Sequence, residues 1–429
     1  MSGETPYRPV SLVNVKVPAA LASGLELRDH DPVTGLAVTD FAIDGNGRIS
    51  LAANAPSVDM GGRMVLPCFI DSHVHLDKAF IIRRTGVPQG GLLDAIHLAT
   101  ADIPNRTRDD LAERMEKGLS FAYSRGTSVM RTHLDTPEQP VESASWKVFT
   151  ELRETWRDRI TLQAVALMAL ERVDTDEFPE RCRQIAEIGG VVGAFVPTGS
   201  ATSHRLDKLF EIAAHYGLDV DFHVDESLDP NAIGLELIAE SVLRTGFKGR
   251  VVAGHCCSLS VRPEAEVAAL IDKVAEAGIY VISLPHSNLY LQDRQPGRTP
   301  RMRGLTLAHE LRAAGVSVHF ASDNVQDPFY PYGEFDMLEV MRSSIRFAHL
   351  DTAVGAWVPE LYRNAAAALN LPDAGRIAAG AKADFIAFDA TDWYDLFGQS
   401  HANRMVFRNG INLSSRSSDL RDLFGLDFA

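Results

Sequence analysis

Val65-Leu66-Pro67-Cys68-Phe69-Ile70-Asp71-Ser72-His73-Val74-His75-Leu76-Asp77 is a short apolar run that ends in two histidines one residue apart. In an extended chain residues i and i+2 face the same side. His73 and His75 can therefore present both imidazoles to one point at the carboxyl end of a strand read over Val65 to Ile70. That is the geometry of a chelate. The blander reading is a pair of loop histidines, and what decides between the two is whether other strands end in the same way.

Seven further apolar runs follow, at Thr127 to His133, Thr161 to Leu167, Val191 to Val196, Leu218 to His223, Val251 to His255, Ile279 to Leu284 and Val316 to Ser322. Amphipathic stretches lie between them, among them Arg108 to Arg125, His204 to Tyr216, Asn231 to Arg244, Pro263 to Ala277 and Thr306 to Ala314. Several of these are closed by a glycine, such as Gly126, Gly217, Gly278 or Gly315. Eight strands alternating with helices predict an α/β protein, a (β/α)8 TIM barrel.

His223 and His255 each end one of these runs, and Asp323 directly follows another. In a barrel the carboxyl ends of all strands meet on one face. A lone histidine there is more often a hydrogen-bonded core residue, and a lone aspartate before Asn324 more often caps a helix. Their joint occurrence with His73 and His75 reverses those readings. Three imidazoles, His73, His75 and His223, with the Asp323 carboxylate suit Zn²⁺ or Fe²⁺ better than Mg²⁺ or Ca²⁺. The expected cofactor is one divalent ion, with zinc ahead of iron.

Such an ion lowers the pKa of bound water from about 15.7 to about 7, which supplies a nucleophile at neutral pH. Glu226, three residues beyond His223, is placed to shuttle the protons; as an exposed loop carboxylate it would do nothing. His255 has three readings: polarising the substituent on the attacked carbon, orienting the hydroxide, or serving as a further ligand.

The 429 residues contain 42 basic and 57 acidic side chains, a formal charge of −15, with no Lys/Arg cluster. This argues against a nucleic-acid backbone or an anionic membrane as partner. Cys68, Cys182, Cys256 and Cys257 are too few and too irregularly spaced for a disulfide framework or a thiolate zinc site. Met1 to Val10 shows no leader pattern and no apolar run is long enough to span a bilayer, so the expected location is cytoplasmic. The first sixty-odd residues and the tail share a texture of short strands, Ser11 to Val17 and Leu36 to Ile43 before the barrel, Asp384 to Phe388 and Arg404 to Asn409 after it. Both ends are read as one small β domain, giving segments 1–66, 67–370 and 371–429, with a helix near Glu360 to Leu369 closing the barrel.

His73-Val-His75, His223-Val-Asp-Glu226, Gly254-His255 and Ser322-Asp323 with Asp327-Pro328-Phe329-Tyr330-Pro331 together resemble the cytosine deaminase branch of the amidohydrolase superfamily. The stretch Leu289-Tyr290-Leu291-Gln292-Asp293-Arg294 and the closing Gly375-Arg376-Ile377-Ala378-Ala379-Gly380-Ala381-Lys382-Ala383-Asp384 extend the likeness over nearly the whole chain. The resemblance implies a distorted barrel with a β-sandwich made from both termini, one metal, and hydrolytic deamination of a nitrogen heterocycle. It assigns His73, His75, His223 and Asp323 to the metal, Glu226 to acid/base catalysis and His255 to assisting hydroxide. Asp323 additionally receives a proton from the attacking water, and a protonated His255 would offset developing negative charge. The absence of a bridging lysine on Val191 to Val196 agrees with a single ion.

Two departures bear on substrate. Cytosine deaminases carry a glutamine after the third strand, where this chain has Leu167-Met168-Ala169-Leu170, and they tend to have an aspartate and a tryptophan where it has Asn324 and Phe329. Cytosine is thereby disfavoured against another amino-heterocycle: a pterin, isoguanine, a triazine or a creatinine-like ring. Lys78, Asn324 and Phe329 are the expected substrate contacts, and His133 and Asp135 are placed on the rim beside Lys78. The rivals are an amidohydrolase that opens a cyclic amide or releases a substituted amine, and a catalytically inactive metal-binding barrel. Barrel enzymes of this kind often form homo-oligomers, and the sequence carries no interface signal.

Overall fold

The computed structural model describes residues 9–51, 55–401 and 404–413. Met1 to Arg8 of the stretch read for a leader, and 414–429 of the C-terminal segment, lie outside the described residues. Eight parallel strands form one sheet, numbered β1 (Phe69–Val74), β2 (Thr127–Asp135), β3 (Thr161–Ala169), β4 (Val191–Val196), β5 (Val220–Val224), β6 (Val251–His255), β7 (Tyr280–Ser283) and β8 (Val318–Phe320). Each pairs in parallel with its neighbour in sequence. The ring closes just past β8, where the Asp323 N–H donates to the His73 carbonyl at 2.9 Å and Val74 bridges Asp323 in parallel.

The strands are legible because a parallel sheet covered on both faces needs nearly unbroken apolar runs. Helices supply the outer cover. Arg108–Ser124 starts on Thr107, whose hydroxyl accepts from the Asp110 N–H at 3.3 Å. Gly126, Gly217, Gly278 and Gly315 all take positive φ where the sequence predicts helices to stop. Leu92–Ala101, Ala144–Trp156, Phe178–Ile188 and Met337–Phe347 are further helices of the barrel. Among the described residues no helix is long and apolar enough to cross a membrane.

The structure divides the first predicted strand. Val65–Pro67 pairs antiparallel with Phe385–Ala387 in a terminal sheet, and only after Cys68 does the chain enter the barrel at Phe69. Pro67 has no N–H to donate, which suits the end of one ladder and a passage to another. His73 consequently lies inside β1, with His75 one residue past its end.

Outside the barrel, one four-stranded sheet contains Val10–Pro18, Leu36–Ile43, Ile49–Ser50 and Ser57–Asp59. A second contains Val65–Pro67, Phe385–Ala387, Met405–Arg408 and Ile411–Asn412. Leu12, Val17, Phe41 and Ile49 from one share a core with Phe385, Met405 and Phe407 from the other. Phe41 meets Phe385 edge-on at 5.4 Å, and Phe385 stacks on Phe407 at 4.5 Å. The described segments before and after the barrel are thus held together by the same apolar contacts.

Candidate active site

Two strands, β1 and β5, carry the three histidines to one point. His223 Nε2 lies 3.1 Å from Nε2 of His73 and 3.1 Å from Nε2 of His75. Asp323 Oδ1 stands 3.7 Å from His73 Nε2 and 3.3 Å from His75 Nε2. All four side chains are buried. Two ligand nitrogens about 2.05 Å from a tetrahedral ion sit roughly 3.3 Å apart, close to the spacing found. A single proton on His223 Nε2 could bridge to only one neighbour. Both Asp323 oxygens have no hydrogen-bond partner, although Oδ1 faces the Nε2 atoms of His73 and His75. Buried polar atoms are rarely left so, and a cation shared by the three Nε2 atoms and the carboxylate removes the penalty. The residues therefore fit one divalent ion. His255 is not part of this mutually close set.

Burial holds His73 and His223 well below the usual imidazole range, reinforced by the neighbouring rings, and lowers His75 as well. All three are kept neutral, as ligands must be. Asp323 stays below the usual carboxylate range: burial opposes ionisation, but His75 and His255 outweigh it.

Glu226 Oε1 is 3.3 Å from His255 Nδ1. Burial, then the Asp323 charge, raises its pKa well above the ordinary value, the direction expected of a group that must exchange protons near neutrality. Burial pushes His255 down to about 4. That favours a neutral ring, where the sequence reading has a protonated one. Asn288 Nδ2 lies 3.0 Å from His255 Nδ1; with the amide donating, the ring carries its proton on Nε2, which has no hydrogen-bond partner.

A cavity of 320 Å³ opens above the histidines. Glu226, His255, Asp323, Lys78, Asn324 and Phe329 all line it, with apolar walls from Leu92, Ile96, Ile103, Leu167, Met168 and Phe195. Lys78 Nζ is 2.5 Å from Asp135 Oδ1 and 6.0 Å from the centre of the Phe329 ring. Burial opposes the Lys78 charge, but Asp135 and Asp77 outweigh it and raise its pKa. Asn324 Nδ2 donates to Asp327 Oδ2 at 2.7 Å.

His133 is not on the rim beside Asp135. Its ring lies against that of His73, centroids 3.9 Å apart, with Nε2 3.2 Å from Asp221 Oδ1, and Arg131 Nη1 is 3.2 Å from Asp221 Oδ2. His133 and Asp221 also fall close to His73, with the Arg131 guanidinium supplying a positive charge beside the Asp221 carboxylate beneath the site. Alternation explains the change: His133 and Asp135 share one face of β2, but His133 is one pleat deeper, wholly buried.

Arg106, 3.0 Å from Asp135 Oδ2, and the helix Leu92–Ala101 over the cavity carry no sequence signal of their own. Gln292 lies in the segment after the seventh strand that carries the family resemblance, but nothing in the sequence shows what it or Asn288 contacts.

The model of the amidohydrolase family matches residues 90–407. A pterin deaminase from Rhizobium rhizogenes is 43% identical over 420 residues, covering 96% of this chain and 95% of that protein. An N-isopropylammelide isopropyl amidohydrolase from a Pseudomonas species is 24% identical over 315 residues, 70% of this chain and 74% of that protein. Among solved structures, 5-methylcytosine deaminase from Klebsiella pneumoniae with phosphonocytosine bound superposes with a TM-score of 0.78 at 26% identity, over 96% of this chain and 99% of that one.

Proposed function

The chain belongs to the amidohydrolase family, and from that premise we propose that it is a zinc-dependent pterin deaminase whose ion is held by His73, His75, His223 and Asp323. It is a hydrolase of carbon–nitrogen bonds other than peptide bonds, a metal-dependent deaminase of a nitrogen heterocycle. The observation that carries the reading is that His223 Nε2 lies 3.1 Å from Nε2 of both His73 and His75, beneath the cavity that Glu226 lines. Pterin is favoured by the 43% identical relative of that activity. A cavity of 320 Å³ also has room for a two-ring heterocycle. The three-nitrogen, one-oxygen donor set suits zinc. The four free, buried cysteines fit a reducing compartment, and we place the enzyme in the cytoplasm.

When bound, the ion supplies the Lewis acidity that makes water nucleophilic at neutral pH. Glu226 Oε takes one proton from the water and delivers it to a ring nitrogen, where it stays. His255 Nε2–H donates to the oxygen being added, and its neutrality lets it do so without a counter-charge. Asp323 accepts the remaining proton from that oxygen, and this second proton passes to the departing amino group, which leaves as ammonia. The bond from ring carbon to exocyclic nitrogen breaks, one water is consumed, one ammonia leaves, and a carbonyl replaces the amino group. Leu92, Ile96 and Phe329 wall the cavity against bulk water. Lys78, Asn324 and Phe329 are the proposed ring contacts.

The test is zinc-loaded protein incubated with pterin, with ammonia and the 2,4-dioxo product measured together. Equimolar release of both is expected. Turnover of cytosine or an alkylamino-triazine with pterin untouched would refute the substrate assignment.

A further inference from the structure

We infer that Asp225 and Gln292 are positioning residues that fix the backbone on both sides of Glu226 and thereby aim its carboxylate into the cavity. The inference rests on the reading of Glu226 as the proton shuttle. Glu226 belongs to no strand or helix: β5 ends at Val224 and the next helix, Gly234–Thr245, begins ten residues later. A loop of that kind does not by itself hold a side chain to the fraction of an ångström that proton transfer requires.

Asp225 adopts the left-handed conformation, φ 52°, which a non-glycine residue keeps only when its surroundings enforce it. They do so here. The buried Asp225 carboxylate accepts from the Gly234 N–H at 2.9 Å and the Leu235 N–H at 3.0 Å, while its carbonyl accepts from the Ser258 N–H at 3.2 Å. The loop is thus tied to the start of its own helix and to the turn that follows β6. On the other side, Gln292 Nε2 donates to the Glu226 carbonyl at 3.2 Å. Gln292 is itself backed by Gly304, where a Cβ would come within 2.7 Å of Gln292 Cγ. The peptide units flanking Glu226 are therefore held by three barrel units at once. Neither Asp225 nor Gln292 lines the cavity that holds Glu226 and the histidines, although Gln292 lines an adjoining one that shares Glu226, Leu92 and Phe195 with it; an unchanged KM in Gln292→Ala separates positioning from contact with substrate.

The experiment is a double-mutant cycle on the zinc-loaded full chain. Gln292→Ala and Asp225→Asn are made alone and with Glu226→Gln, and kcat, KM and bound zinc are read for each. Glu226→Gln alone is expected to keep zinc and lower kcat by about 10²–10⁴-fold. Gln292→Ala alone should lower kcat by roughly tenfold, with KM and zinc content unchanged. In the Glu226→Gln background the same substitution should change residual turnover less than about twofold, because nothing is left to aim. A tenfold loss that persists in that background, or no loss in the single variant, overturns the positioning role while leaving the shuttle assignment intact. Full turnover in Glu226→Gln overturns the shuttle reading and the inference with it. Gln292→Ala leaves the Asp225 cap of the helix untouched, so the cycle still decides if Asp225→Asn does not fold.

Discussion

Gly254→Ala tests how tightly the proposed ion site is built. A Cβ at position 254 would sit 3.2 Å from His73 Cε1, 3.5 Å from His73 Nδ1 and 3.3 Å from the Phe222 carbonyl oxygen. Ordinary carbon contacts begin at about 3.5–4.0 Å. The carbonyl is fixed in the ladder, so the ring is what yields, by roughly 0.3–0.5 Å. Ligand atoms around zinc tolerate displacements of about ±0.2 Å. We expect zinc affinity to fall by about 10–100-fold, equivalent to roughly 1.4–2.7 kcal/mol. The fold should lose only about 1 kcal/mol, the lower end for one added methyl. The assay is competition with a chromophoric chelator, alongside thermal unfolding of the metal-free protein. Gly398→Ala, where a Cβ meets nothing within 4 Å, is the control. Parental zinc affinity in Gly254→Ala would refute the argument that His73 is a ligand held in place by close packing.

Three further outcomes follow from the same geometry. Asn288→Ala frees His255 Nδ1 from its 3.0 Å contact; kcat should fall by about tenfold with zinc retained, and an unchanged kcat would remove Asn288 from the account. Chelation should abolish turnover and remove about 2.7 kcal/mol of stability relative to protein at zinc 100-fold above its Kd; a melting temperature unmoved by zinc would show that the cluster does not bind it. Asp221→Ala strands the buried Arg131 guanidinium 3.2 Å from the lost carboxylate and should cost about 3–5 kcal/mol by denaturant titration. Adding Arg131→Met should recover most of that loss, and a double variant no better than the single would argue against an unpaired charge as the cause.

The barrel strands were readable because burial on both faces leaves an uninterrupted apolar signature, which is why Val191–Val196 and Val251–His255 have the predicted boundaries. Val65 to Ile70 misled because an apolar run does not say which sheet it joins; the change of partner at Cys68 is a tertiary fact. The strand-end residues His223, His255 and Asp323 could be placed near His73 and His75 because topology alone brings strand ends together. Side chains that act at one remove were not readable. Asn288 and Gln292 sit one helical turn apart after β7, and only the folded structure shows that one meets His255 and the other the loop of Glu226. His133 was assigned to the wrong depth because alternation gives the face of a strand but not the layer.

The hydrogen bond that joins the Asp323 N–H to the His73 carbonyl ties residues 250 positions apart. Three imidazoles belong to the first five strands to be synthesised, but the carboxylate arrives only with the eighth. If these residues hold the ion as proposed, a chain that ends before Asp323 lacks both the closing hydrogen bond and the carboxylate, and the full donor set would exist only in the closed cylinder. On that reading the ion would rivet the last join of the ring.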